Sequence, residues 1–234
     1  MTLFTTVNRV TDAIGLPRSA AVSSGTDQLS RQFFALANNT VEELAEKDWP
    51  QLEKAYQFTT VPNQNAYDLP ADYARTVEGT LWLPEQYYEI RGSVTAGEWA
   101  KRKSGAFSDS RYRFRIYGNP LKLYVTPTPT EAVTMIGEYV SNAIVKTSSG
   151  ATAALFTADD DTIVLPEKLL RMGLMWRIKH AKGLDYSEDF NLYQDAVNMQ
   201  FAQSSGAGRI DVSHRYGYLE ENWGMNVPET GFGG

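Results

Sequence analysis

The sequence contains two histidines, the side chain that most readily exchanges protons near neutral pH. His180 falls in the last turn of a predicted helix, and His214 falls in a glycine-rich tail. Neither belongs to a His-Glu-x-x-His zinc motif or lies beside a serine nucleophile motif. We therefore interpret His180 as a charge at a helix end and His214 as a tail residue, not as a catalytic or metal-binding pair.

Acidic residues are the next candidates for chemistry. The aspartate run 159–161 could attract a divalent cation, but a calcium loop needs spaced oxygen ligands and a glycine at its sixth position. We interpret this run as a solvated turn before a strand. The glutamate pairs 42–43 and 220–221 are adjacent in sequence and point apart, whereas glycoside hydrolysis needs two carboxylates that converge across a cleft.

Nucleotide and thiol chemistry have no support in the sequence. The glycines do not show the Gly-x-Gly-x-x-Gly or P-loop spacing that holds phosphates, and there is no cysteine. The absence of cysteine fits folding in a reducing cytoplasm. We expect no catalytic residue, no cofactor and no metal site, and therefore no enzyme.

Composition further limits the class of protein to which this sequence can belong. The chain has 234 residues, 42% of them hydrophobic, which is enough for a substantial core. No stretch approaches the ~20 apolar residues of a membrane helix, and no signal peptide begins the chain, so we expect a soluble, unsecreted protein without a membrane partner. The net charge of −6 argues against a dedicated DNA-binding protein, because phosphate affinity comes from clustered Lys and Arg.

One short segment is nevertheless basic. Arg111, Arg113 and Arg115 alternate with apolar residues, and the turn 118–120 follows, so the segment 111–125 is predicted to be a β-hairpin with one apolar and one basic face. Such a row is usually the wet face of a sheet. A weak contact with the DNA backbone is the alternative function of these three arginines.

Aromatic residues also occur where no core is predicted. The segment 205–234 is rich in glycine and has no periodic apolar face, so we expect an extended C-terminal arm. Aromatic side chains carry much of the binding energy at protein interfaces. We expect the arm to bind a partner through its aromatic residues Tyr216, Tyr218, Trp223 and Phe232; the alternative is that it packs back on its own β domain.

Helical periodicity appears near both ends of the chain. Apolar residues recur at helical spacing over residues 3–14, 27–48, 166–182 and 185–203. Thr26 and Asp27 are candidate N-caps of the second helix. Between these helices, residues 56–145 alternate with a period of two and contain frequent Pro, Asn and Gly, which predicts antiparallel strands.

These elements define the predicted architecture. The fold class is α+β, with N- and C-terminal helices forming one bundle, an inserted antiparallel β domain and the extended C-terminal arm. Residues 1–52 and 162–204 would form the helical bundle, residues 53–161 the β domain and residues 205–234 the arm.

Several short sequence runs, taken in order along the chain, are similar to those of one known protein family. The chain resembles the head-to-tail adaptor (connector) proteins of short-tailed bacteriophages, the group that includes tail tubular protein A. The resemblance covers residues 3–49 and 165–204 well and the intervening β region loosely. The residues that carry it are the run Val7 to Pro17, Asp48-Trp49, Tyr67-Asp68-Leu69-Pro70, Leu165 to Leu170, Lys182-Gly183 and Tyr193.

The resemblance implies a structural virion protein without catalytic residues. Twelve copies would form a homo-oligomeric ring between the portal protein and the tail nozzle or tubular protein, around a channel through which genome DNA passes without specific binding. The protein would be assembled in the bacterial host cytoplasm and reside at the portal-tail junction. Three alternatives remain open: a head-completion or neck protein of a longer-tailed phage, a tail-associated glycan hydrolase, and an adhesion or ligand-binding module.

Overall fold

The computed structural model describes residues 1–105 and 111–204, which form α-helices and antiparallel sheets. The predicted α+β class is confirmed. The helices are α1 (Leu3–Ile14), α2 (Gln28–Ala45), α3 (Ala96–Lys103), α4 (Glu167–Ala181) and α5 (Ser187–Ser204), with two short 3-10 turns at Pro50–Leu52 and Pro84–Gln86. The strands are β1 (Glu53–Thr59), β2 (Ala66–Asp68), β3 (Tyr73–Thr76), β4 (Trp82–Leu83), β5 (Tyr88–Glu89), β6 (Arg113–Tyr117), β7 (Lys122–Thr126), β8 (Thr134–Ser141), β9 (Val145–Lys146), β10 (Thr152–Ala153) and β11 (Thr162–Ile163).

Local capping explains where the first two helices begin and end. The Thr2 hydroxyl accepts a hydrogen bond from the Thr5 amide, and the Asp27 carboxylate accepts one from the Ser30 amide. The sequence placed the end of α2 at residue 48, but the helix ends at Ala45. The helix ends here because the Trp49 indole N–H donates a hydrogen bond to the Leu44 carbonyl oxygen at 2.7 Å, which satisfies one of the carbonyl groups at the helix C-terminus.

The predicted helical hairpin near the C-terminus begins and ends close to the expected positions. Gly183 follows α4 with φ of 70°, the left-handed conformation that terminates a helix without strain. The Asp185 carboxylate accepts a hydrogen bond from the Ser187 amide at 3.1 Å. Helix α5 therefore begins at Ser187, two residues later than predicted.

The strands form three antiparallel sheets. In the largest, β8 is central: it pairs with β1 over the full register from Glu53↔Val140 to Thr59↔Thr134, and it also pairs with β3 and β4, while β5 extends the sheet from β4. The second sheet has the order β2-β7-β6, and its β6–β7 pair is the predicted hairpin. The third has the order β10-β9-β11.

One helix lies in the region where the sequence predicted only strands. Helix α3 contains eight residues, of which Trp99 is the buried one, so it presents no apolar stripe long enough to reveal helical periodicity. It does carry a capping signal that the periodicity argument missed. The Thr95 hydroxyl accepts a hydrogen bond from the Glu98 amide at 3.3 Å, which is the Thr-x-x-Glu pattern of a helix start.

Two hydrophobic clusters hold these elements together. We call the first the helical core; its buried residues come mainly from α1, α2, α4 and α5, and α4 contacts each of the other three helices. Val140, Ile144, Val145 and Phe156 also belong to it. We call the second the sheet core; its buried residues are Tyr67, Leu81, Leu83, Ile90, Phe114, Leu123, Val125, Val133 and Met135.

A glycine permits the close approach of α4 to α2. A Cβ atom added to Gly173 would lie 2.5 Å from the Thr40 Cγ2 atom, a separation that packed carbon atoms do not tolerate. Thr40 is fully buried, and its hydroxyl donates to the Leu36 carbonyl oxygen at 2.7 Å, which fixes its side chain. Residue 173 therefore has to be glycine for the two helices to pack at this distance.

Candidate interaction surface

The hairpin β6–β7 displays the basic residues that the sequence singled out. Because side chains alternate along a strand, Phe114 points into the sheet core and is only 2% exposed, while Arg113 and Arg115 lie on the opposite face. Arg115 pairs with Tyr124 across the hairpin, and Tyr117 pairs with Lys122. The two arginines, the two tyrosines and the lysine therefore share one face, which we call the basic-aromatic face.

Ring contacts fix the geometry of this face. The rings of Tyr117 and Tyr124 are stacked, with centroids 4.2 Å apart and planes inclined by 21°. The guanidinium of Arg115 lies 4.7 Å from the Tyr117 ring centre, within the range of a cation–π contact. The Lys122 ammonium pairs with the Asp68 carboxylate at 2.9 Å. The Arg115 guanidinium and the Lys122 ammonium are thus held in place on this face.

Helix α3 borders the basic-aromatic face. The Trp99 ring meets Tyr117 edge-on with centroids 6.3 Å apart, and Trp99 is only 4% exposed. Arg102, one turn after Glu98, donates to its carboxylate at 3.2 Å. The sequence did not associate α3 with the hairpin, because the contact joins residues that are separated by more than ten positions and by no recognisable motif.

The structure describes the positions of the three predicted arginines. Arg111 precedes β6, where its guanidinium lies 5.9 Å from the Tyr88 ring centre, and Arg113 and Arg115 lie on β6 itself. The arm residues Tyr216, Tyr218, Trp223 and Phe232 lie outside the described residues, as does His214. His180 lies in the last turn of α4, with its ring centre 4.7 Å from that of Tyr186.

The interpretation of residues 159–161 as a solvated turn is wrong for two of the three aspartates. Asp161 is 1% exposed, and its carboxylate accepts hydrogen bonds from the Thr157 and Ala158 amides at 2.8 Å each. Asp159 accepts from the Val22 and Ser23 amides. Only Asp160 is exposed. Burial opposes ionisation of Asp161, but these backbone donors prevail and hold its pKa below the usual value.

Asp72, which no sequence motif singled out, organises one end of the largest sheet. The Asp72 carboxylate accepts hydrogen bonds from the Lys54 ammonium at 2.6 Å, the Ser141 hydroxyl at 2.7 Å and the Tyr139 hydroxyl at 2.8 Å. Partial burial alone would raise the pKa of Asp72, but the three donors lower it to about 2. This carboxylate ties the loop after β2 to strands β1 and β8.

The described residues contain no cluster that resembles a metal site. Within residues 1–105 and 111–204, no three His, Asp or Glu side chains converge as ion ligands. None of the helices in these ranges is both long enough and apolar enough to cross a membrane.

Comparison with known protein families identifies the class of protein. The model of the SU10 adaptor protein family matches residues 1–220. The chain therefore belongs to the SU10 adaptor protein family, which confirms the resemblance to head-to-tail adaptors of short-tailed phages. No curated protein matches the chain. The family is one of structural phage adaptors, not of enzymes.

Proposed function

We propose that this protein is a head-to-tail adaptor that forms a closed ring of twelve subunits between the portal and the tail of a short-tailed phage. The observation that carries the proposal is the family match over residues 1–220. The ring would surround a channel for the genome and bind the portal protein on one side and the tail nozzle or tubular protein on the other. Assembly would take place in the bacterial host cytoplasm, and the finished ring would lie at the portal-tail junction of the virion.

The acidic balance of the chain supports a channel through which DNA moves freely. A net charge of −6 repels the phosphate backbone and disfavours tight, non-specific binding. Within this acidic chain, Arg113 and Arg115 on the basic-aromatic face and the nearby Arg111 provide a local region for weak contact with the DNA backbone. Each neutralised phosphate contributes only a modest share of the affinity, so the arginines of one subunit would hold the backbone weakly.

We further propose that the helices of the two chain ends form a single bundle from which residues 53–161 project as a β domain. The contacts of α4 with α1, α2 and α5, and the helical core that these helices share, support this arrangement. In a ring, such a bundle would provide a rigid body, and the connecting loops of the β domain would add contact surfaces.

The C-terminal segment is proposed to be the arm that joins subunits to their partners. Residues 205–234 could span at most ~100 Å when extended, enough to leave their own subunit. Tyr216, Tyr218, Trp223 and Phe232 would provide the contacts, either to the portal or to a neighbouring subunit. In a closed ring each contact is repeated around the axis, which multiplies a modest affinity.

Electron microscopy of purified particles that carry a labelled subunit tests the location. We expect a ring of label between portal and tail. A label at the neck of a long-tailed particle would favour the head-completion alternative, and its absence from particles would contradict both.

Deletion of residues 209–234 tests the arm. The truncated subunit should melt at the same temperature as the full chain but should no longer bind portal rings in a pull-down assay. A lower melting temperature with portal binding intact would show that the segment packs on its own subunit.

A further inference from the structure

An apolar groove lies where α1, α4 and α5 meet. It has a volume of about 220 Å³, and its lining includes Arg9, Arg171, Met172, Met175 and Leu192. Leu192 is 50% exposed, although it lies on a helix that packs into the helical core. A large apolar side chain exposed beside a concave surface is typical of a site that a partner covers.

The size of the groove indicates what kind of group it accepts. Small-molecule sites usually enclose roughly 300–1,000 Å³, so a groove of about 220 Å³ fits a single large side chain better than a free ligand. The two methionines favour an aromatic occupant, because thioether sulfur makes attractive contacts with aromatic rings and the flexible side chain adapts to them.

The charges at the groove favour an acidic neighbour for that aromatic ring. Arg171 is exposed, and about half of the Arg9 side chain is exposed although its guanidinium lies 3.7 Å from the Glu167 carboxylate. Asp189, which also lines the groove, already accepts a hydrogen bond from the Lys179 ammonium. The groove therefore presents two arginines to its occupant, with its own carboxylate already paired.

The C-terminal segment of the same chain carries the matching chemistry. Trp223 follows the acidic pair Glu220 and Glu221 by two residues, and tryptophan is the side chain most enriched among residues that dominate interface affinity. We propose that the groove of one subunit binds Trp223 of a neighbouring subunit, with Glu220 and Glu221 facing Arg9 and Arg171. This inference rests on the proposed ring, since the neighbouring copy supplies the occupant.

The length of the segment allows this contact. Trp223 lies nineteen residues beyond Ser204, a span of up to ~65 Å when extended. Leu192 lies twelve residues before Ser204 on α5, which is ~18 Å along the helix. The segment is much longer than a return to its own groove requires, and the excess is enough to cross to the next copy in a ring.

Thiol crosslinking of the full chain tests the proposal, because the natural sequence has no cysteine. Purified Leu192→Cys and Asn222→Cys proteins are mixed at increasing concentrations and treated with a short thiol-reactive crosslinker, and light scattering measures association. Leu121→Cys is the matched control, since Leu121 is 52% exposed but lies in the β6–β7 turn. We expect at least about fivefold more crosslinked dimer with Leu192→Cys than with Leu121→Cys, because docking raises the local concentration of the segment.

A charge exchange provides the second measurement. In the Leu192→Cys protein, Arg171→Glu should lower the yield of dimer at least about threefold, and an Asn222→Cys partner that also carries Glu220→Arg and Glu221→Arg should restore it. Restoration requires that these charges face one another, which a general effect on folding would not produce.

The remaining outcomes overturn the inference. The comparison is made in mixtures that associate or in assembled particles. Equal yields of crosslinked dimer from Leu192→Cys and Leu121→Cys would show that the groove does not bind the segment. The proposed ring would not be contradicted by that result. A crosslink found only within one chain of a Leu192→Cys, Asn222→Cys double variant would place the segment on its own subunit. Failure of the unmodified protein to enter particles would instead contradict the proposed function.

Discussion

The helical core and the sheet core differ in how many large side chains they bury completely. The helical core contains most of the large, fully buried side chains, among them Phe33, Trp49 and Tyr193, which belong to or follow helices. Among the largest fully buried side chains of the described residues, the sheet core contains only Leu83, Ile90 and Met135, and partly exposed rings border it. Tyr56 and Phe58 are stacked 5.2 Å apart at this border, and Phe58 lies 4.8 Å from Tyr67.

The difference in the number of large buried side chains indicates which core contributes more to stability. Burial of a large side chain contributes roughly 1.5–3 kcal/mol, so the helical core should contribute more to the free energy of folding. The sheet region also presents ordered aromatic and charged groups at its surface, such as the Tyr117–Tyr124 stack and Trp82, which is 43% exposed. Rigid aromatic side chains near a surface are well suited to protein interfaces.

The largest expected effect is the loss of a side chain from the helical core. Leu174 is fully buried, so Leu174→Ala should lower the free energy of unfolding by about 2–5 kcal/mol, measured by urea denaturation. The control is Leu192→Ala, at a site that is 50% exposed, where we expect less than ~0.5 kcal/mol. A loss below ~0.5 kcal/mol at Leu174 would contradict the importance of this core.

Adjacent aspartates test how buried polar groups stabilise the same region. Asp161→Ala leaves the Thr157 and Ala158 amides without their acceptor, which should lower the free energy of unfolding by about 2–3 kcal/mol. The exposed neighbour is the control, since Asp160→Ala should change stability by less than ~0.5 kcal/mol. A loss below ~0.5 kcal/mol from Asp161→Ala as well, measured in thermal melts, would show that the whole acidic run is a solvated turn.

Two glycines should respond in opposite directions to the same substitution. Gly173→Ala should destabilise the protein by about 1–2 kcal/mol, because the clash with Thr40 outweighs the gain in helix propensity. Gly97→Ala on α3 should stabilise it by up to about 1 kcal/mol, since no atom lies within 4 Å of the added Cβ. Chemical denaturation of both variants measures the two signs, and a stabilised Gly173→Ala would refute the close approach of α4 to α2.

The last expected effect depends on pH and concerns Asp72, at one end of the largest sheet. The folded state lowers the pKa of Asp72 from 3.8 to about 2, so its stabilisation is present above about pH 4 and is lost as the pH falls towards 2. Asp72→Asn should therefore lower the free energy of unfolding by about 1–2 kcal/mol at pH 6, with a smaller difference at pH 2.5. Urea titrations at both pH values check this, and a difference that does not depend on pH would exclude the ionised form as its source.

Local spacing made much of the secondary structure predictable from the sequence. Residues 3–14 form α1, as their apolar spacing predicted, because helical periodicity is encoded within a few adjacent positions. The hairpin of β6 and β7 could also be predicted from the sequence, because Gly118 lies between two alternating segments. Glycine adopts positive φ without strain, and the φ of Gly118 in the turn is 101°. Helix α3 escaped prediction because its single buried residue gives no period.

Only the tertiary structure decided which distant groups meet. The composition and spacing of the sequence determined the α+β class and the alternation that places Arg113 and Arg115 on the face opposite Phe114. They did not reveal that Asp159 caps the amides of Val22 and Ser23, since these partners lie more than 130 residues apart along the chain. The groove between α1, α4 and α5 is likewise a product of helix packing. Such contacts depend on how helices, strands and loops pack against one another, and local sequence patterns do not predict that packing.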